Sequence, residues 1–199
     1  IIRQASKLQK ISRERIRDEM NKLLLSPHPS RGLDLLVDLG LMEWIIPEVM
    51  ELRGVSQRPN PKAPPTKDIY AHVLRVVDQS SPRLVARWSA LLHDIAKPRT
   101  KSVEDNKVHF FGHEDIGAHM AYDILKRLHF DRDFIQSVSS VVHLHMRANA
   151  YASDWTDGAV RRLMIDSGGN LPDLLDLSRA DITSYRMDKI NKAAARVSE

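Results

Sequence analysis

Leu91-Leu92-His93-Asp94-Ile95-Ala96-Lys97-Pro98 sets a histidine beside an aspartate at the end of an apolar run, and the reading of this stretch decides the fold. A hydrophobic core has no use for a buried aspartate next to a histidine unless the pair has a partner. Imidazole nitrogen and carboxylate oxygen together suit a divalent first-row metal. The pair lies in a helical pattern from Pro82 to Ala96, where the two side chains diverge by roughly 100° and serve one metal together or bridge two.

Working outward, more ligand-grade residues fall on apolar faces of helical period. On Lys67–Gln79 the stripe Ile69, Val73, Val76 and Val77 includes His72. On Asp131–Met146, Val138, Val141 and Val142 lead to His145, and on Pro172–Thr183, Leu174 and Leu177 lead to Asp181. His113 follows Gly112 at the start of the pattern Glu114–Leu128, where the backbone can approach a site closely. A lone histidine on an apolar face is more often a satisfied core residue than a ligand, and joint occurrence with two inward aspartates shifts that balance. His28, His109, His119, His129 and His143 lack this placement and read as surface or loop residues. A metal-dependent phosphohydrolase site is the first expectation.

The remaining segments are helical too. Lys7–Leu25 is an amphipathic helix with Ser12 as N-cap, Ile16, Met20, Leu23 and Leu24 inward, and a basic back of Lys10, Arg13, Arg15, Arg17 and Lys22 expected to contact RNA. A short helix carrying Leu33, Leu36 and Val37 stops at Gly40. Another, Met42–Ile46, ends at Pro47, and Asp157–Ile165 is a shorter pattern. Arg53–Thr66 holds Pro59, Pro61, Pro64 and Pro65 and supports neither helix nor central strand. The expected division is a helical RNA-binding neck or body segment over 1–58 and a metal-dependent domain over 59–199. The fold class is all-α, and only Thr100–Phe111 suits a small hairpin.

In 199 residues, 42% are hydrophobic and 28% charged, with a net charge of +4 and a pI near 9.4. This is ordinary globular composition with a weak preference for an anionic partner. The absence of cysteine excludes disulfides, zinc knuckles and thiol catalysis. The most apolar stretch, Leu33–Met50, is interrupted by Asp34, Asp38, Glu43 and Glu48, so it cannot span a bilayer, and a cytoplasmic protein is expected. The opening Ile1-Ile2, without an initiator methionine, suggests a fragment lacking its natural N-terminal portion.

HDIAKP (93–98), FFGHEDIGA (110–118), VVHLHMR (141–147) and SRADITS (178–184) resemble the HD domain of bacterial tRNA nucleotidyltransferases, a branch of the HD superfamily of metal-dependent phosphohydrolases. ISRERIRDEMNKLL (11–24), DLLVDLGLMEWIIPEV (34–49), KDIYAHVLRVVD (67–78) and TDGAVRRL (156–163) are similar to body segments of that CCA-adding and poly(A) polymerase family. The resemblance implies His72, His93, Asp94 and Asp181 on one metal, and His113 and His145 on a second with Asp94 bridging. It makes Asp94 and Lys97 catalytic, Lys97 meeting a phosphate; apart from the resemblance, Arg161 and Arg162 from a later helix are expected to neutralise further phosphate charge. Ala96 departs from the glycine that related sequences usually carry. The implied cofactor is a divalent ion (Mn, Ni, Co, Fe or Mg), two per site. The implied substrates are 2′,3′-cyclic, 2′- or terminal phosphates of a tRNA or other RNA 3′ end.

The family's polymerase chemistry needs an N-terminal head in cis, with a Gly-Ser turn followed by closely spaced aspartates. The one Asp-x-Asp here, Asp131-Arg132-Asp133, lacks that turn and reads as a helix cap. Nucleotide addition by this chain alone is therefore not expected. Two alternatives stay open: a noncatalytic tRNA-binding module with a structural metal, and a stand-alone HD phosphodiesterase. The missing Gly-Tyr-Pro after the His-Asp pair weighs against the second.

Overall fold

The computed structural model describes residues 2–55, 68–152 and 154–181, and they form an all-α fold with one small hairpin. A 3₁₀ segment, Ile2–Lys10, precedes α1 (Arg13–Leu24), α2 (Pro29–Asp38), α3 (Met42–Ile45) and α4 (Pro47–Glu51). Then come α5 (Ile69–Gln79), α6 (Leu84–Leu92), α7 (Lys97–Thr100), the strands β1 (Ser102–Glu104) and β2 (Lys107–His109), α8 (His113–Arg127), α9 (Arg132–Asn149), α10 (Asp157–Ser167), a 3₁₀ turn and α11 (Leu171–Asp181).

Local chemistry accounts for most boundaries. Ser12, Asp68, Asp131 and Thr156 each accept a hydrogen bond from the backbone N–H three residues on, at the starts of α1, α5, α9 and α10, satisfying donors the helix leaves unpaired. Gly40, past α2, has φ +66°, the left-handed cap glycine adopts without strain. In the hairpin, Val103 pairs with Val108, and Asp105 and Asn106 at its tip both have positive φ, the geometry of a type I′ turn.

Several boundaries differ from expectation. Lys7–Leu25 is not one helix, because Ser12 is extended and caps α1 anew. Pro47 does not merely end a helix. It opens α4, since its fixed φ suits the first helical position and its missing N–H is not needed there. The pattern Pro82–Ala96 breaks after Leu92: Ile95 N–H bonds Leu92 O at 3.1 Å and Lys97 N–H bonds Asp94 O at 3.0 Å, tight turns of i to i+3 type. Pro98 then stands in the first turn of α7, where its missing N–H is not needed. In contrast, α9 runs past Met146 to Asn149. Lys67, Ile182 and Thr183, the outer ends of two expected helices, lie outside the described residues.

Helices α5, α6, α8, α9 and α11 pack together, and the buried set from Ile16 and Met20 through Trp88 and Val142 to Leu177 is one continuous cluster. The first four helices join it directly. Trp88, fully buried, donates its indole N–H to Asn21 Oδ1 at 2.8 Å, and Ser30 on α2 bonds Asp78 on α5 through its N–H and its hydroxyl. Among the described residues no helix is long and apolar enough to cross a membrane.

Candidate metal centre

His72 projects from the middle of α5, His93 and Asp94 from the turn that closes α6, His113 from the first residue of α8, His145 from α9, and Asp181 from the end of α11. The first five are at most 4% exposed, and the Asp181 side chain is 18% exposed. The six converge in the interior as two groups, His72 with His93 and Asp181, and Asp94 with His113 and His145. Within each group one ligand atom per residue lies within 4.8 Å of the others.

Asp94 stands between the groups. Its Oδ2 is 3.3 Å from His93 Nε2 and 3.6 Å from His72 Nε2, and its Oδ1 is 3.6 Å from His113 Nε2. His72 Nε2 also meets Asp181 Oδ1 at 2.8 Å. Neighbouring rings of the four histidines, His72–His93, His93–His145 and His113–His145, sit edge to face at 5.2–5.4 Å between centroids.

Three histidines share one anchoring device. Nδ1 of His93, His113 and His145 donates to the carbonyl three residues earlier, on Ala90, Phe110 and Val142, at 2.9, 2.7 and 2.6 Å. A carbonyl only accepts, so the proton sits on Nδ1 and Nε2 is turned to the centre, the usual way a protein orients a metal-binding imidazole. Nε2 of His93, Nε2 of His113 and Oδ1 of Asp94 are buried with no hydrogen-bond partner. Such orphans cost roughly 1–3 kcal/mol each if nothing meets them. Nitrogen and carboxylate donors converging with orphaned lone pairs fit a divalent cation.

Electrostatics agree with that fit. Burial pushes His145 down to about 4 and also lowers His72, so both are neutral, as ligands must be. Burial opposes a charge on His93 as well, but Asp94 and Asp181 outweigh it and raise His93 to about 10. For Asp94 the effect of burial is outweighed by the charges of His93 and Lys97, which hold it far below the carboxylate range. Asp181 is held well below its ordinary value against burial by the close His72, 2.8 Å away, and by the charge of His93. Without metal the two carboxylates are balanced by the proton on His93 and by Lys97, and a bound cation would take the place of that proton.

Lys97 lies at its edge, with Nζ 2.7 Å from Asp94 Oδ2 and 5.5 Å from the centre of the Phe110 ring. Arg161 and Arg162 are exposed on α10, and neither is hydrogen-bonded or ion-paired to any of the six ligands. Of the five basic residues expected to contact RNA, Lys10, Arg15 and Lys22 are exposed, Lys22 pairing with Glu19 at 2.8 Å. The other two are partly spent within the fold: Arg13 donates to Trp44 O, and Arg17 donates to His129 O at 2.6 Å. The acidic side chains of Glu14, Asp18 and Glu19 on the same helix make its outer surface mixed.

Sequence reasoning missed Asn149 and Ser178. Asn149 donates to Asp181 Oδ2 at 2.6 Å, and Ser178 donates to Asn149 Oδ1 at 2.7 Å. Helical spacing could have flagged both, since Asn149 is one turn beyond His145 and Ser178 one turn before Asp181. Gly112, with φ +70°, supplies the left-handed step that turns the chain from the hairpin into His113.

A family profile described as "HD domain" matches residues 66–186, and one described as "Probable RNA and SrmB- binding site of polymerase A" matches residues 1–52. The chain is 33% identical over 180 residues to the A-adding tRNA nucleotidyltransferase of Deinococcus radiodurans, an alignment covering 87% of the chain and 40% of that protein. It is 33% identical to the CC-adding tRNA nucleotidyltransferase of Thermus thermophilus, covering 88% and 40%. It is 36% identical over 118 residues to the Multifunctional CCA protein of an Azoarcus species, covering 58% and 28%. The chain thus spans about two fifths of the length of the first two relatives.

Proposed function

The chain belongs to the HD domain family, and from that premise we propose that its buried centre is a metal-dependent phosphohydrolase site acting on phosphate esters of RNA ends, including 2′,3′-cyclic phosphates. The observation that carries this reading is Asp94, which offers Oδ2 to one ligand group and Oδ1 to the other, beside the orphaned Nε2 atoms of His93 and His113. His72, His93 and Asp181 would hold one ion, His113 and His145 a second, and Asp94 would join them. Divalent ions held there supply Lewis acidity toward a phosphoryl oxygen and lower the pKa of water toward neutrality.

The chain's own groups do the rest. Nδ1 donation to three carbonyls keeps the ligand nitrogens aimed before substrate arrives, so no reorganisation is needed. Lys97, at the edge of the centre, exchanges part of its contact with Asp94 for a phosphate oxygen and offsets its charge. Arg161 and Arg162, exposed on α10, would meet phosphates further along a longer RNA.

In this reading the chain is the C-terminal part of a tRNA nucleotidyltransferase acting in the cytoplasm at the CCA end of tRNA. The polymerase head lies in cis, and the segment before the hairpin touches RNA through Lys10, Arg15 and Lys22. A second reading draws on the relatives' names. The two that match over most of the chain are named for nucleotide addition alone, and the multifunctional one aligns over a shorter part, which favours a metal-holding arm that binds tRNA without turnover. Metal content measured beside hydrolysis of a 2′,3′-cyclic nucleotide separates the two. Metal with turnover supports the hydrolase, and metal without turnover supports the arm.

A further inference from the structure

Phe111 is 69% exposed, the second-most exposed of the protein's large hydrophobic side chains in the described residues, yet it is not loose. Its ring lies parallel to that of His109, at 4.8 Å between centroids and 13° between planes. His109 is the last residue of β2 and is half-buried, so one face of Phe111 is backed by a held imidazole. An exposed phenyl ring braced from behind is poor solvent surface and a good stacking surface, because a flat aromatic ligand gains contact without first ordering the side chain.

Its position relates this ring to the metal centre. Phe111 precedes His113 by two residues, so their Cα atoms are at most about 7 Å apart. The residue between is Gly112 in a left-handed conformation. On the other side, Phe110 gives its carbonyl to His113 Nδ1 and its ring to Lys97. One short run therefore holds an aromatic platform, a ligand anchor and the support of the phosphate-facing lysine. A nucleotide carries a phosphate and a flat base on one molecule.

We propose that Phe111, backed by His109, is a stacking platform for the base of the nucleotide whose phosphate meets Lys97 and the metal centre. This rests on the phosphohydrolase reading and narrows its substrate class to esters that carry a nucleobase. Stacking on a π-face is tolerant of base identity, so the platform selects nucleotides over simple phosphate esters and does not read sequence.

The test compares a nucleoside 2′,3′-cyclic phosphate with glycerol cyclic phosphate, which has no base, on the metal-loaded protein. Phe111→Ala should raise KM for the nucleotide roughly 5- to 100-fold, the range expected for removing one base stack, leave kcat in place, and leave both constants for the glycerol ester unchanged. Phe111→Tyr should restore the parent KM. An equal change on both esters, or none on the nucleotide, overturns the proposal. A binding measurement keeps it separable from turnover. Relative to the parent, the Phe111→Trp variant should show added fluorescence quenched by a nucleoside monophosphate and not by ribose 5-phosphate. If the parent hydrolyses neither ester, the phosphohydrolase reading fails and this quench alone decides the platform, its absence overturning the proposal.

Discussion

Asp94 is 1% exposed and surrounded by His72, His93, His113 and Lys97, so its carboxylate is the charge on which the centre depends. Asp94→Ala should abolish stable occupancy of both ligand groups and all turnover, leaving Lys97 without its anion. His113→Gln or His145→Gln should empty mainly the second group and slow hydrolysis by orders of magnitude while one ion stays on His72, His93 and Asp181. Metal content per chain beside the rate on a cyclic nucleotide checks both, and full activity in the two histidine variants would count against a paired centre. Proton linkage gives a second expectation, for metal-free protein. His145 is pushed down to about 4 by burial, below its ordinary 6.5, so between these values the unfolded chain binds a proton that the folded chain refuses. Stability therefore rises with pH across that window and is lost as pH falls toward 4. The urea midpoint of the parent should drop from pH 6.5 to 4 more steeply than that of His145→Gln, and parallel slopes would refute this assignment.

At the scale of the element, the centre depends on where helices stop. Because α6 ends at Leu92, His93 and Asp94 sit on turns of i to i+3 type, His93 beside His72 and Asp181 and Asp94 beside His113 and His145. The extra turn of α9 carries Asn149 to α11, and the chain of Ser178, Asn149 and Asp181 orients the one ligand that is not fully buried. Asn149→Ala should weaken metal binding by about 10- to 100-fold, the usual cost of removing a group that orients a ligand, and Ser178→Ala by less, since it acts through Asn149. A chelator competition measures both. Equal affinity in parent and Asn149→Ala would make this hydrogen bond merely structural.

Over the whole molecule, the first helices and the metal-bearing helices share one core, and polar ties cross between them: Trp88 to Asn21, Arg17 to His129 O, and Arg127 with Glu48 at 2.8 Å. Basic residues near the start of the chain therefore divide into two kinds. Reversing Lys10, Arg15 and Lys22 together to Glu should flatten the dependence of RNA binding on salt, by about 0.7 in logarithmic slope for each single-strand phosphate that is no longer neutralised, with little change in melting temperature. Arg17→Glu should instead lower the melting temperature, because it removes the tie to the His129 carbonyl and takes the guanidinium from its place over Phe130, 5.7 Å from the ring centre. A filter-binding salt titration beside thermal melts reads both. Destabilisation by the triple reversal, or none by Arg17→Glu, would contradict this division.

Read alone, the sequence determined the helical class, the hairpin's position, the caps at Ser12 and Asp131, and the burial of the candidate ligands His72, His93, Asp94, His113 and His145. Each of these is written in local spacing: a 3.6-residue stripe, a capping side chain before a first turn, a donor type where burial is expected. Tertiary structure alone decided how the six ligands divide into two groups, which oxygen of Asp94 faces each, and which nitrogen of each anchored histidine is turned inward. It also decided that Asn149 supports Asp181 and that Arg13 and Arg17 are engaged within the fold. The physical reason is that these outcomes depend on partners distant in the chain, such as Asn149 for Asp181 and His129 for Arg17, or on exact backbone breaks, such as the one after Leu92, which an unbroken apolar pattern does not mark.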